Sequence, residues 1–398
     1  MQFQPLPKKF GVGIMSLEKL DLPGYRYEHV GRYHNYYVTK ENWEYPISRD
    51  ESWGKRKQCS KYIIDGFSPN LNKELHVGHL RNLALAHAFS HLYHAYPVAM
   101  LGASLGVKKK AIEGWKWWTN FLHYKPDVYY DVLLPNDVLE TRSENDGTEL
   151  QYWDGPNGEV PVVRSDGKRL YTYHDLVFAK EVGPTHYVTG HEQKQHFESL
   201  GLGDKHLPMG LVLGTDGKKM KSRDGEAFLA VDAMNCVKEM IGDVPEPDRL
   251  AWNILAWNFL HVSRENNVKF DAEKWVKPEA HGMYVSYTYA RVCSALGCIP
   301  TRFDSYKQHV HQDTLLEKDV LLLGFSQQFS HYRNQSMEKF DLAPIANYSF
   351  ELAREINFAY NQEKIRGGRE AFFDVIQHAT WQLGQCLFTL GMFQLRKI

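Results

Sequence analysis

The chain is short of cysteine, and what it has is scattered. Cys59, Cys236, Cys293, Cys298 and Cys386 are the only five, odd in number, with no Cys-x-x-Cys pair among them. That argues against a zinc ribbon or a disulfide framework as the organising device and points to a reducing cytoplasm. Charge of one sign is missing too. The 47 Lys and Arg stand against 48 Asp and Glu, for a net charge of −1. No global field therefore draws nucleic acid, and any RNA surface has to be a local patch. No apolar run is long enough to span a bilayer, and the N-terminus does not read as a signal peptide. What is present is a 43% hydrophobic, 24% charged composition over 398 residues. That is ordinary for a soluble globular protein, with room for two or three domains and a substantial core.

The most informative stretch is Ser68-Pro69-Asn70-Leu71-Asn72-Lys73-Glu74-Leu75-His76-Val77-Gly78-His79-Leu80-Arg81-Asn82. Tyr62-Ile63-Ile64 ahead of it reads as a short buried strand, the first of a parallel sheet, and a helical pattern runs from about 77 to 96 after it. A loop that leaves a strand and opens a helix aims free backbone N–H groups and the positive helix end at one spot, an anion seat. His76 and His79 lie on one face of the first turn, and Gly78 leaves room for a flat ring against the backbone. The pattern suits stabilising negative charge on a nucleotide triphosphate attacked at its α-phosphorus. A capped helix with two solvated histidines is the bland alternative. Far downstream lies Gly214-Thr215-Asp216-Gly217-Lys218-Lys219-Met220-Lys221-Ser222-Arg223-Asp224-Gly225, a lysine-rich loop bounded by glycine. Alone it would be a solvated basic turn.

Paired in this order, the two stretches resemble the HIGH and KMSKS signatures of class I aminoacyl-tRNA synthetases. The first is similar to the arginyl-tRNA synthetase version. The resemblance runs from about residue 61 to the end and implies an α/β fold: a Rossmann-like parallel-sheet catalytic domain with a helical insertion, followed by an all-α anticodon-binding-type helical bundle. On that reading 1–57 is a short N-terminal extension and 58–245 the catalytic domain with its insertion near 107–160. Residues 246–280 form a helical connector, and 281–398 the bundle. Within the catalytic domain, Met209 to Leu213 reads as the last central strand.

The resemblance also assigns residues. His76, Gly78, His79, Lys219, Met220 and Lys221 hold ATP, and His76, His79, Lys73, Lys219 and Lys221 carry the catalytic charge stabilisation. Lys73 fits because the fourth place of the loop motif is Ser222, and a lysine just before the first motif supplies the missing charge. Asp65, Ser68, Asn70, Tyr171, Asp175 and Gln193 line the arginine pocket. Tyr171 and Asp175 stand four apart, which on a helix puts them on one face, and a planar cation wants a carboxylate with a π-surface or hydroxyl alongside. His196 is either structural or in contact with substrate. In the tail, Tyr287, Arg291 and Tyr360 are the tRNA contacts, although an aromatic stripe on a helix equally reads as core.

Two segments depart from the family pattern. The N-terminal 53 or so residues are aromatic, polar and irregular, at most a remnant of the usual N-terminal domain. Leu101-Gly102-Ala103-Ser104-Leu105-Gly106-Val107 replaces a Gly-Asp-Trp-Gly-like segment, and Lys108 to Lys110 with Trp115, Trp117 and Trp118 follow as the helical insertion. Those side chains read as a packed helix pair or as an RNA contact. His87, His91 and His94 form a same-side stripe, read as a polar face ahead of a metal site, and no structural metal is expected. The implied function is arginine–tRNA ligation: ATP, with Mg²⁺ accompanying it, activates L-arginine, which passes to the 3′ end of tRNA(Arg), in a cytoplasmic monomer. Two alternatives stay open. One is a paralogue activating arginine or a relative for a non-translational acceptor. The other is a non-catalytic RNA-binding module, against which the intact His76, His79 and Lys73 argue.

Overall fold

A computed structural model describes residues 3–6, 13–22, 25–39, 62–134, 142–143, 150–220, 228–297, 300 and 315–398. The chain forms two compact units, one of residues 58–237 with 262–272, the other of 1–57, 238–261 and 273–398.

The N-terminal stretch, expected to be irregular, is a sheet. Strands β1 (Phe3–Pro5), β2 (Gly13–Ser16), β3 (Arg26–Val30) and β4 (Tyr33–Tyr37) pair antiparallel in the order β1-β2-β4-β3. The sequence gives no apolar alternation here because aromatic side chains occupy both faces. Ile14, Tyr25 and Tyr36 still bury a small core with Leu20 and Leu22.

The unit of 58–237 with 262–272 is built on five parallel strands: β5 (Ile63–Asp65), β6 (Tyr96–Leu101), β7 (Asp127–Tyr130), β11 (Thr185–Gly190) and β12 (His206–Met209). Their order in space is β12-β11-β5-β6-β7. The chain order reverses at β5, so a crevice opens beyond the carboxyl ends of β5 and β11, the place where doubly wound sheets hold nucleotides. Helix α1 (Val77–Tyr93) returns from β5 to β6 and ends earlier than the sequence pattern implied. His94 takes a left-handed conformation (φ 50°) and closes the helix, so Tyr96 already begins β6.

The stretch 107–160, expected as a helical insertion, is divided. Helix α2 (Lys109–Phe121) returns to the sheet as β7, with Trp115 donating from Nε1 to the Phe67 carbonyl at 3.0 Å. The strands outside the parallel sheet are β8 (Arg142–Ser143), β9 (Gln151–Gly155) and β10 (Gly158–Val163), an antiparallel set. The helical pattern was legible because Trp115 and Trp118 bury one face; the short, half-exposed β7 carried no apolar signal.

Helices α3 (Tyr171–Val182) and α4 (Lys194–Ser199) flank β11. The strand expected over 209–213 is split. β12 stops at Met209, and β13 (Val212–Leu213) pairs instead with β14 (Val268–Lys269). Gly210 lies between them because Asn266 backbone atoms stand 2.4 Å from where its Cβ would be. Helix α5 (Ala230–Ile241) follows the lysine loop.

The other unit is helical beyond the N-terminal sheet: α6 (Pro247–Leu260), α7 (Ala272–Trp275), α8 (His281–Leu296), α9 (Glu317–Ser326), α10 (Phe329–Lys339), α11 (Ala343–Gln362) and α12 (Glu370–Thr389). Trp252 and Trp257 of α6 are fully buried, and their indole N–H groups donate to the Gly391 and Ala346 carbonyls. An apolar body with one satisfied polar atom is what a buried tryptophan requires. Among the described residues no helix is long and apolar enough to cross a membrane.

Candidate active site

His76 caps α1. Its Nδ1 accepts the Gly78 N–H at 3.1 Å, while His79 Nδ1 accepts the His76 N–H at 3.0 Å, a reciprocal capping box made of two histidines. The rings stack with centroids 3.8 Å apart. An Nδ1 that accepts a backbone N–H carries no proton, so each neutral ring holds its proton on Nε2 and presents that N–H as a donor. Burial lowers the His79 pKa to about 3, aided by His76, and burial with the Lys219 and Lys73 charges lowers that of His76. Both rings are therefore neutral donors at physiological pH. Gly78 is required: a Cβ there would stand 2.9 Å from His76 Cε1.

The lysine loop reaches the same place. Leu213 and Lys219 bridge across a tight turn, Gly217 taking φ 77° and Asp216 accepting the Lys218 N–H at 2.9 Å. Lys219 and Lys218 are exposed and Met220 half-buried. Lys221, Ser222 and Arg223 lie outside the described residues. Beyond them the chain returns to the first loop: Val77 N–H donates to the Phe228 carbonyl at 2.9 Å, Ala230 N–H to that of Leu75 at 2.8 Å, and His76 bridges Leu229. Lys73, exposed, stands close enough for its charge to act on His76 alongside that of Lys219.

At the carboxyl end of β5, Asp65 is 5% exposed. Burial raises its pKa to about 7, with the Asp175 carboxylate pushing the same way against a Ser68 hydrogen bond. Ser68 donates to Asp65 and accepts the Met100 N–H at 2.9 Å. Asn70 donates from Nδ2 to the Tyr171 hydroxyl at 2.8 Å. One turn further along α3, Asp175 pairs with His196 Nε2 at 2.6 Å. Tyr187 sits beside Asp65 in the β11–β5 register, and both Asp65 and Asp175 raise its pKa, after burial. Asp65 and Asp175 thus lie within reach of each other's charge, and the Asn70–Tyr171 hydrogen bond stands at the start of the helix that carries Asp175. Gln193 lies exposed in the turn after β11 and makes no side-chain bond here.

His196, left open in the sequence between a structural role and a substrate contact, pairs with the Asp175 carboxylate. Two further contributors were not legible from motifs. Asp131, 2% exposed, accepts the Ala103 and Ser104 N–H groups at 2.8 and 3.1 Å and holds the loop after β6. Arg81, fully buried, donates to the carbonyls of Gly210, Leu211, Ser263 and Arg264.

In the helical unit, Tyr287, Arg291 and Tyr360 line a groove of about 840 Å³ with Lys364, Arg366 and Arg396, and none of its lining residues is acidic. The Arg291 guanidinium lies 4.3 Å from the Tyr360 ring centroid and donates to Asn357 Oδ1 at 3.3 Å.

A doubly wound parallel sheet, paired histidines at a helix start and a lysine loop tied back to them are the features by which the chain resembles class I aminoacyl-tRNA synthetases. Residues 285–390 match the DALR anticodon binding domain family. The chain is 27% identical over 281 residues to an arginine–tRNA ligase of Streptococcus pneumoniae, covering 62% of this chain and 48% of that protein. It spans about half the length of the curated relatives it matches. In structure it is similar to the arginyl-tRNA synthetases of Thermus thermophilus (TM-score 0.68, 14% identity, 95% of this chain and 90% of that one) and Plasmodium falciparum (0.68, 14%, 94% and 86%). Within that class the chain is similar to arginyl-tRNA synthetases in sequence and in fold.

Proposed function

We propose that the protein activates L-arginine with ATP and transfers it to tRNA(Arg), working as a cytoplasmic monomer. The observation that carries this reading is that an arrangement suited to anions and one suited to a cation both follow the carboxyl end of the central strand β5. The Nε2–H groups of His76 and His79, with Lys73 and Lys219, suit the phosphates of MgATP. The Asp65–Asn70–Tyr171–Asp175 pocket suits a guanidinium. Both loops come from one chain, which supports a monomeric enzyme.

The arginine carboxylate attacks the α-phosphorus and pyrophosphate departs. The 2′-hydroxyl of the terminal adenosine then attacks the arginyl carbonyl and AMP departs. No covalent intermediate on the protein is required. The chain's own groups position the reactants and neutralise charge as it develops on phosphate oxygens. Mg²⁺ enters with ATP as part of the substrate; among the described residues no cluster of His, Cys, Asp or Glu is arranged to hold an ion. Lys221 belongs to the same reading as the second lysine of the loop. Gln193, at the crevice mouth, would contact the amino acid. Tyr287, Arg291 and Tyr360 would contact the anticodon arm, where a basic, aromatic groove fits unstacked bases.

The test is arginine-dependent ATP–pyrophosphate exchange with the purified chain, with and without tRNA(Arg), using lysine and glutamine as control amino acids. Exchange with arginine, followed by arginyl-tRNA formation, is expected. Exchange without charging of any tRNA would overturn the choice of acceptor, and no exchange under either condition would overturn the enzyme.

A further inference from the structure

Helix α2 shows two faces. Ala111, Trp115, Trp118 and Thr119 are buried. Lys109, Glu113, Lys116, Trp117 and Asn120, at helical spacing, are exposed. Trp117 is 47% exposed, unusual for so large an apolar ring. It is held in place: its ring lies parallel to Phe121 at 5.0 Å and edge-on to Trp118 at 4.8 Å. The loop leading in adds Leu105 and Val107, 61% and 51% exposed. From 103 to 126 the sequence has five lysines, Lys108, Lys109, Lys110, Lys116 and Lys125, against one acid, Glu113. The ion pairs in reach, Lys109 with Glu113 at 3.8 Å and Lys110 with Glu74 at 3.9 Å, are long and exposed, so they compete weakly with an incoming phosphate.

This surface adjoins the site. Gly102 accepts the Leu71 N–H at 2.7 Å, and Leu71 accepts the Lys108 N–H at 2.8 Å, so the loop runs beside the segment that carries Asn70 and His76. We propose that the outer face of α2, with the loop ahead of it, is the docking surface for the 3′ end of the tRNA. Phosphates of the acceptor strand lie along Lys108, Lys109, Lys110 and Lys116, and an unpaired base stacks on Trp117. An immobilised aromatic platform beside a row of cations is the arrangement that holds single-stranded nucleic acid. The inference rests on the reading of the chain as a tRNA-charging enzyme, and names the surface that this chain uses where its 101–107 segment departs from the family pattern.

The test uses two fluorescent RNA hairpins of equal stem sequence, one with the acceptor-stem end of tRNA(Arg) terminating in single-stranded CCA, the other blunt. Their binding to the full chain is measured by anisotropy across a salt series. Trp117→Ala should weaken the CCA hairpin about tenfold, leaving the blunt hairpin and arginine binding unchanged, and Trp117→Phe should retain most of the affinity. Lys109→Gln with Lys110→Gln should lower the salt slope by about 2 for both hairpins. Binding of the CCA hairpin that is unchanged in both sets of variants would overturn the surface. If the unaltered chain charges tRNA while these variants bind as it does, only the surface falls. If the unaltered chain shows no arginine-dependent exchange, the enzymatic reading falls, whatever the hairpins do.

Discussion

The charge state of one carboxyl shapes the proposed arginine pocket. Asp65 is raised to about 7 by burial and by Asp175, well above the carboxylate value near 3.9 expected of an unfolded chain. The linkage sign follows. The folded protein binds the proton more tightly than the unfolded one, so Asp65 favours folding below about pH 4, and that contribution is lost as pH rises through 7. A bound guanidinium reverses the preference, because it needs the ionised form. Arginine affinity, measured by calorimetry between pH 5.5 and 8.5, should be flat above 7 and fall below it, approaching tenfold per pH unit. Asp65→Asn should weaken binding at pH 8 and remove the dependence; a pH profile identical in the variant would reject Asp65 as the titrating group. Gly78 allows a second test at this scale. A methyl group 2.9 Å from His76 Cε1 forces the ring off its N-cap position. Gly78→Ala should lower the exchange rate on the order of a hundredfold, the scale of losing one preorganised donor, while calorimetric arginine affinity stays put.

Elements were legible in the sequence to the degree that their side-chain pattern was driven by burial. The start of α1 was readable because His76, Gly78 and His79 do their work within one turn. Its end was not, since His94 in a left-handed conformation carries no glycine signal. β7 and the 209–213 region were misjudged for the opposite reason: pairing partners far away in sequence decide them, β6 for the one and β14 for the other. The four-residue spacing of Tyr171 and Asp175 was readable as one helix face, and both lie on α3. Asp131 and Arg81 act on backbone rather than on a ligand, and no motif marks such roles. Arg81 is the clearest case. It joins α1, two residues past His79, to the backbone at the β12–β13 break and to the 263–264 segment. Arg81→Ala would leave the buried Gly210 carbonyl without its donor, strip the Leu211, Ser263 and Arg264 carbonyls of their second one, and open a void. A loss of about 3 to 5 kcal/mol is expected in urea unfolding. Arg81→Lys, which reaches fewer carbonyls, should fall between. If Arg81→Ala unfolds at the same urea concentration as the parent, the tie is not structural.

At the scale of the whole molecule, a net charge of −1 would suggest indifference to RNA, yet each compact unit carries its own basic and aromatic surface. One is the outer face of α2. The other is the groove around Arg291, Tyr287 and Tyr360. Local patches of this kind give steep salt dependence even when the total charge is near zero, because counterions are released only where phosphates are neutralised. Full-length tRNA binding should therefore weaken by more than a hundredfold between 50 and 200 mM salt if about five phosphates are engaged in all. Arg291→Gln removes a cation stacked on Tyr360 and should weaken an anticodon stem-loop about tenfold, while the CCA hairpin binds as before. Trp117→Ala should do the reverse. Sites that touch different ends of one RNA and share no contact have additive free energies, so the double variant should lose the product of the two factors on whole tRNA. A loss no larger than that of either single variant would mean that both substitutions report on one surface, and the assignment of one RNA end to each unit would have to be given up.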